Sequence, residues 1–196
     1  MTDLIIRTGI HDAIARQLNA QGKLSKNAIA EGIINNVRKT IIRERLTDPK
    51  FYERMSMLLD DLIRQSREDA AAYEEFLRKA EDLVRKLAMK EPFEDLPVEL
   101  HGKREATAVY NNLPRILVTG QAYEADAVAE EAPEYRAARL RLTFEIDRAM
   151  HEHAPAGWKG DQAKEAQVLN ALYPLMGRNR GATLALFELV KNQPGY

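Results

Sequence analysis

In three successive stretches of the chain apolar residues return every three or four positions, a spacing that predicts helix rather than strand. In the first, from about Ser25 to Arg45, Ile29, Ile33, Val37 and Ile41 fall on one stripe, with Ile34 and Ile42 beside it. The second opens at Pro49. Asp48 is suited to cap it, because a carboxylate there accepts the free N–H groups of the first turn. Proline fits the first helical position because its missing N–H would have had no partner anyway. Met55, Leu58, Leu59, Leu62 and Ile63 continue the helical spacing.

The third stretch runs from about Ala70 to Met89, with Tyr73, Phe76, Leu77, Ala80, Leu83, Val84 and Leu87 on its apolar face. The opposite face carries acids four residues ahead of bases: Glu74–Arg78, Glu75–Lys79, Glu81–Arg85 and Asp82–Lys86. Acid before base is the favourable order, worth about 0.3 kcal/mol a pair, and such a row is most simply a solvated face. The short link between the second and third stretches predicts an antiparallel hairpin.

The pattern then loosens. Pro92, Pro97 and Gly102 interrupt residues 90–103, which read as a loop. A short helix is expected around Glu105–Asn112, and Arg115-Ile116-Leu117-Val118 reads as a short extended piece with no partner strand. Thr119 to Tyr135 holds Glu124, Asp126, Glu130, Glu131 and Glu134 without a single Lys or Arg, and reads as exposed and mobile. Helix resumes near Pro133 and is expected to reach about His151, with Leu142, Ile146, Ala149 and Met150 inward. Pro155 to Gly160 breaks it. Asp161 can cap the next helix, whose apolar side is Val168, Leu169, Leu172 and Tyr173, before Pro174 and Gly177 end or kink it. A last helix is expected over Arg180–Lys191.

No alternating pattern is sustained and no internal repeat is present. The expectation is therefore all-α: an irregular bundle of six to eight helices in a single domain over residues 1–196. Core helices would occupy about 25–89, an irregular connection about 90–132, and the C-terminal helices about 133–192.

Composition narrows the function more than the fold. The 196 residues suit one domain or two small ones. Lys and Arg number 29 against 30 Asp and Glu, a formal charge of -1, so bulk attraction to nucleic acid or an anionic membrane is not expected. The absence of cysteine excludes disulfides and thiolate chemistry and fits a reducing compartment. No apolar run is long enough to span a bilayer, and the N-terminus does not read as a signal peptide. A cytoplasmic location is expected, with no membrane partner.

The search for an active site finds none. His151 and His153 are two apart, so on a helix they point to nearly opposite sides and cannot chelate one ion. They read as surface histidines near a helix end. Gly22-Lys23 and Gly102-Lys103 lack the upstream glycine of a phosphate loop. No G-x-S-x-G elbow exists to present a serine nucleophile. Asp48-Pro49-Lys50 is half of a metal-dependent nuclease signature, but it opens a helix where that signature needs a strand. Asp60 and Asp61 are neighbours on a helix and diverge, so they form no acid–base pair. No catalytic, cofactor-binding or metal-binding residue is assigned.

Two milder features are candidates for contact. Residues 36–54 hold six bases, Arg38, Lys39, Arg43, Arg45, Lys50 and Arg54, against three acids. Such a patch can touch phosphate or an acidic protein face; equally, bases suit a helix C-terminus through the macrodipole. Trp158, the only tryptophan, sits beside Lys159 in a turn bounded by Gly and Pro. It either anchors a partner or pins the turn to the core.

Glu31 to Lys39 (EGIINNVRK), Asp48 to Ile63 (DPKFYERMSMLLDDLI) and Tyr73 to Leu77 (YEEFL) resemble the C-terminal helical region of type I restriction enzyme R subunits. Further matches follow in the family's order: Ile146-Asp147, Gly157 to Asp161, Lys164-Glu165, Asn170-Ala171-Leu172 and Lys191 to Tyr196. The resemblance thus spans about residue 27 to the end, and residues 90–135 match least. It implies a helical domain that follows a nuclease and two helicase-like motor domains. ATP and Mg would bind in those other domains, and the ATP-dependent hydrolase and DNA-cleaving activities would belong to them. On this resemblance the chain is a C-terminal domain separated from its motor, with Met1 an added or internal start. Its implied role is non-catalytic: docking the R subunit onto the methyltransferase core. Its implied partners are the methyltransferase and specificity subunits and the motor domains, with DNA a possible weak contact.

Overall fold

The computed structural model describes residues 26–68, 73–90, 96–118 and 133–196. Among these are seven α-helices, one short 3-10 turn and no strand, so the chain is an all-α multi-helix protein. The helices are α1 (Lys26–Glu44), α2 (Pro49–Glu68), α3 (Tyr73–Met89), α4 (Arg104–Val118), α5 (Pro133–His153), α6 (Gln162–Leu175) and α7 (Arg180–Lys191). They belong to two compact units, Met1–Arg45 with Phe51–Glu94, and Leu46–Lys50 with Asp95–Tyr196.

The first unit is built from three apolar stripes. Ile29, Ile33, Val37 and Ile41 of α1 share one core with Phe51, Tyr52, Met55, Leu59 and Leu62 of α2. Phe76, Leu77, Ala80, Leu83, Val84 and Leu87 of α3 complete it. Lys79 Nζ of α3 donates to Gln65 Oε1 of α2. One position on the expected apolar face is corrected: Leu58 is 42% exposed, because the inner line of α2 runs 52, 55, 59, 62, while Ile63 is half-buried and packs against the core.

The charged face of α3 also differs in register from the expected four-residue spacing. Arg78 bonds Glu75 at 2.7 and 2.9 Å, three residues back, and Arg85 bonds Asp82 at 2.7 Å. Lys79 to Glu75, at 3.4 Å, keeps the anticipated spacing. Helical side chains lean toward the N-terminus, so a guanidinium fork folds back over the carboxylate three residues before it. Hydrogen bonding from Arg78, helped by its charge and by Lys79, takes the Glu75 carboxyl down to about 2 despite opposing desolvation.

The second unit packs α4 against α5 and α7, α5 against α6, and α6 against α7. Its core joins Val109, Leu113 and Ile116 to Ile146, Met150, Val168, Leu172, Leu186, Phe187 and Val190. Leu100, on the 3-10 turn Val98–Leu100, covers Ala106 and Tyr110 in a smaller cluster. Here Arg115–Val118 is helical rather than extended, the end of an α4 that runs straight through Pro114. Proline removes the amide that would have bonded the carbonyl of Tyr110. Arg139 of α5 replaces it, its Nε donating to that carbonyl at 2.8 Å while its guanidinium stacks 3.7 Å from the centre of the Tyr110 ring.

Asp161 caps α6 by accepting the amides of Ala163 (3.0 Å) and Lys164 (3.2 Å), and Asn179 caps α7 by accepting that of Ala182 (3.0 Å). Tyr173, expected inward, is 41% exposed, because the buried line of α6 is Val168, Leu172 and then Met176. The acidic stretch at 119–132 lies outside the described residues.

Candidate functional site

The basic residues singled out from the sequence lie on the open side of α1 and just beyond it. With Ile29, Ile33, Val37 and Ile41 turned to the core, Arg38, Lys39, Ile42 and Arg43 fall on the opposite side and are all exposed. Ile42 is 68% exposed and stands four residues from Arg38 and three from Lys39, the spacings at which helical side chains touch. Neither Arg38 nor Lys39 has an acidic partner among the described residues. Arg43 reaches its neighbour Glu44 at 3.1 Å and otherwise faces solvent, and Arg45 is exposed in the turn after the helix.

Glu44 closes the end of this face. It accepts the Tyr52 hydroxyl at 2.8 Å, and Lys90 Nζ lies 3.7 Å away. Burial pushes its carboxyl upward, but the Tyr52 hydrogen bond, Arg43 and Lys90 outweigh that and hold it below its ordinary value. The carboxylate therefore stays charged, and it anchors the C-terminal end of α1 to the rest of its unit.

Trp158 does not belong to an open surface, whereas Lys159 beside it is exposed. Positive backbone angles at Gly157 (φ 66) and Gly160 (φ 87) fold the turn so that the indole points inward, only 3% exposed and 5.7 Å from the ring of Phe187. Of the two roles open to Trp158, the core holds it in the pinning one, and a partner has no access to its ring. Lys159 Nζ donates to the carbonyl of Gln193, and desolvation lowers its pKa against the opposing pull of Glu105. The side chain is exposed while it fastens the tail of its own unit. Tyr196 completes that fastening by donating to Asp147 Oδ1 at 2.6 Å.

A polar cluster that the sequence did not flag surrounds Asp48, which is 8% exposed. Its carboxylate accepts from Asn112 Nδ2 at 2.8 Å and Asn111 Nδ2 at 2.9 Å. Asn112 Oδ1 in turn accepts the backbone amide of Lys50, one of the free donors at the start of α2, and Gln193 Nε2 donates to the carbonyl of Thr47. The signal was faint but present: Asn112 interrupts an apolar line between Ala108 and Ile116, where a carboxamide needs a buried partner.

Asp48-Pro49-Lys50 thus opens a helix, with Asp48 buried, Pro49 half-buried and Lys50 exposed. His151 and His153 are exposed, and among the described residues no three His, Asp or Glu side chains converge to hold a metal ion. No described helix is long and apolar enough to cross a membrane. What the residues assemble is an exposed basic face around Ile42 on an all-helical protein. No protein-family model matches the chain, no curated protein matches it, and no solved structure matches its fold.

Proposed function

We propose that the chain is a non-catalytic assembly module: the helical domain that docks the nuclease–translocase subunit of a type I restriction enzyme onto its methyltransferase core. The observation that carries this reading is the open face of α1. An exposed Ile42 ringed by Arg38, Lys39 and Arg43 has the make-up of a protein contact, an apolar centre with a charged rim. The resemblance of Glu31–Lys39 to R subunits, which falls on this same helix, supplies the identity of the partner. ATP and Mg would act elsewhere in the parent subunit.

The test is binding of this chain to a purified methyltransferase core with its specificity subunit. Binding that weakens at least tenfold with Ile42→Asp or Arg38→Glu supports the docking reading. A core that ignores the chain overturns it.

A second reading, a nucleic-acid contact through Arg38, Lys39, Arg43 and Arg45, is favoured by one observation: Arg38 and Lys39 are exposed without acidic partners. It predicts duplex binding that falls steeply as salt rises. In that case charge reversal at Arg38 matters and substitution of Ile42 does not.

A further inference from the structure

The open face of α1 carries a periodicity of its own. Ala28, Gly32, Asn35, Lys39 and Ile42 follow one another at spacings of four, three, four and three, on the side opposite the buried line of Ile29, Ile33, Val37 and Ile41. Gly32 is half-buried and the other four are exposed. Alternating steps of four and three average 3.5 residues, the repeat by which one helix keeps a single seam against another along its length. Asn35 and Lys39, the polar members of the seam, have no side-chain partner among the described residues.

Gly32 is the least expected member. It lies inside a 19-residue helix, its φ is not positive, and a Cβ built on it would meet nothing within 4 Å. Alanine would hold the helix better, and nothing among the described residues requires the smaller side chain. A glycine so placed lets another backbone or a bulky side chain come close. The charges around the seam are one-sided. Arg38, Lys39, Arg43 and Arg45 stand against Glu31 and Glu44, four bases to two acids with every group at full charge, and Glu44 is turned to Tyr52 and Lys90. Arg38 borders the seam on one side and Arg43 on the other.

We infer that the partner element received by this face is an acidic amphipathic helix lying along α1, its apolar seam over Gly32 and Ile42 and its flanking carboxylates against Arg38 and Arg43. The inference rests on the docking reading and names what the methyltransferase side must present. In paired helices the residues beside the seam select the partner by charge, and a polar residue on the seam fixes the register. Here both flanks ask for acids, Lys39 asks for one more, and Asn35 asks for a hydrogen-bonding group opposite it. A bulky side chain of the partner seats on Gly32, where α1 offers only backbone. A second copy of the chain fits less well, because it would bring another face with the same excess of bases. A duplex would use the bases and leave Ile42 and Gly32 without purpose.

The deciding measurement is fluorescence anisotropy of a labelled synthetic helix of about 21 residues, with Leu on its seam and Glu on both flanks, titrated with the whole chain up to about 500 µM at ~150 mM salt. Its Glu flanks keep the probe from pairing with itself. Expected is saturable binding that weakens at least tenfold with Gly32→Leu and with Arg38→Glu, while a twin probe carrying Lys for Glu stays free. Gly32→Leu puts a good helix former into open space, so its circular dichroism should match the parent. Gly32→Ala should even raise the melting temperature of the first unit, by about 4–8 °C. The proposal is overturned by an acidic helix that stays free at every concentration, or by equal binding to Gly32→Leu. It is overturned equally by a labelled duplex held more tightly than the acidic helix, or by a chain dimer in sedimentation that Gly32→Leu dissolves. Failure of the docking reading looks different: the acidic helix binds and the methyltransferase core does not.

Discussion

The two units solve the same problem by different means. In the first, three helices turn continuous lines of Ile, Leu, Phe and Val toward each other, and the ion pairs of α3 lie outside on solvent. In the second, apolar contacts are punctuated by buried or half-buried polar joints: Asn112 on Asp48, Gln193 on Thr47, Arg139 on the Tyr110 carbonyl and Tyr196 on Asp147. Apolar contact is tolerant of approximate partners, whereas each such joint requires one particular partner at one distance. The first unit should therefore respond to lost volume and the second to lost hydrogen bonds.

The sharpest break of that comparison pairs Met55→Ala with Asn112→Leu. Met55 is fully buried, and truncating it should cost about 2–5 kcal/mol through the cavity left behind. Asn112→Leu keeps the volume but strips the Asp48 carboxylate and the Lys50 amide of a partner, and should cost about 2–4 kcal/mol. Urea unfolding of each variant measures both. A harmless Asn112→Leu would show that the joints are ornamental to stability.

Next in size are the pH responses, which have opposite signs. Burial, then the hydrogen bond to Asp147 and its charge, raise the Tyr196 hydroxyl above its usual value of 10.0. A raised folded value means this stability is intact below pH 10.0 and is lost as pH climbs toward the folded value. Alkaline titration should therefore loosen the second unit, and Tyr196→Phe, which removes the titrating group at a cost of about 1 kcal/mol, should flatten that limb.

Glu44 runs the other way. Its folded value is lowered from 4.5, so its contribution is complete above 4.5 and vanishes as pH falls through the folded value. Glu44→Gln should weaken the acid limb of the first unit and leave the alkaline one unchanged. Amide signals resolved for each unit by NMR would assign the two limbs.

The smallest effect is expected where the ion pairs look best. Arg78→Ala breaks two short hydrogen bonds to Glu75, yet both partners are exposed, so the melting temperature should move by no more than about 1–2 °C. A larger shift would mean that the solvent side of α3 carries weight in the first unit after all.

Legibility in the sequence follows the same division. Ile29–Ile33–Val37–Ile41 and the line from Phe76 to Leu87 repeat at helical spacing, so the first core could be read off before any coordinates. The cap at Asp161 and the last helix, Arg180–Lys191, were equally readable, because capping is a local event. The continuation of α4 through Pro114 was not. It depends on Arg139, a residue from another helix that local spacing cannot bring into view. Tyr173 and Leu58 fell on the wrong side because a one-residue drift of the buried line moves a side chain from core to edge. Arg38, Lys39, Arg43 and Arg45 lie exposed, since charge next to an apolar stripe turns outward. Trp158 could be placed in the core only once the glycine turn was known.

The grouping of Leu46–Lys50 with the second unit bears on how that unit is made. Its polar joints connect residues 64 and 146 positions apart, Asn112 to Asp48 and Gln193 to Thr47. Contacts so distant along the chain are entropically slow to form, and during synthesis the early partner leaves the ribosome long before the late one exists. The segment around Asp48 must wait, first for Asn112 and then for Gln193, while the three-helix core of the first unit has every partner it needs by residue 90. The first unit should thus be complete while the second is still being translated, and release of residue 193 should be the event that lets the second unit close.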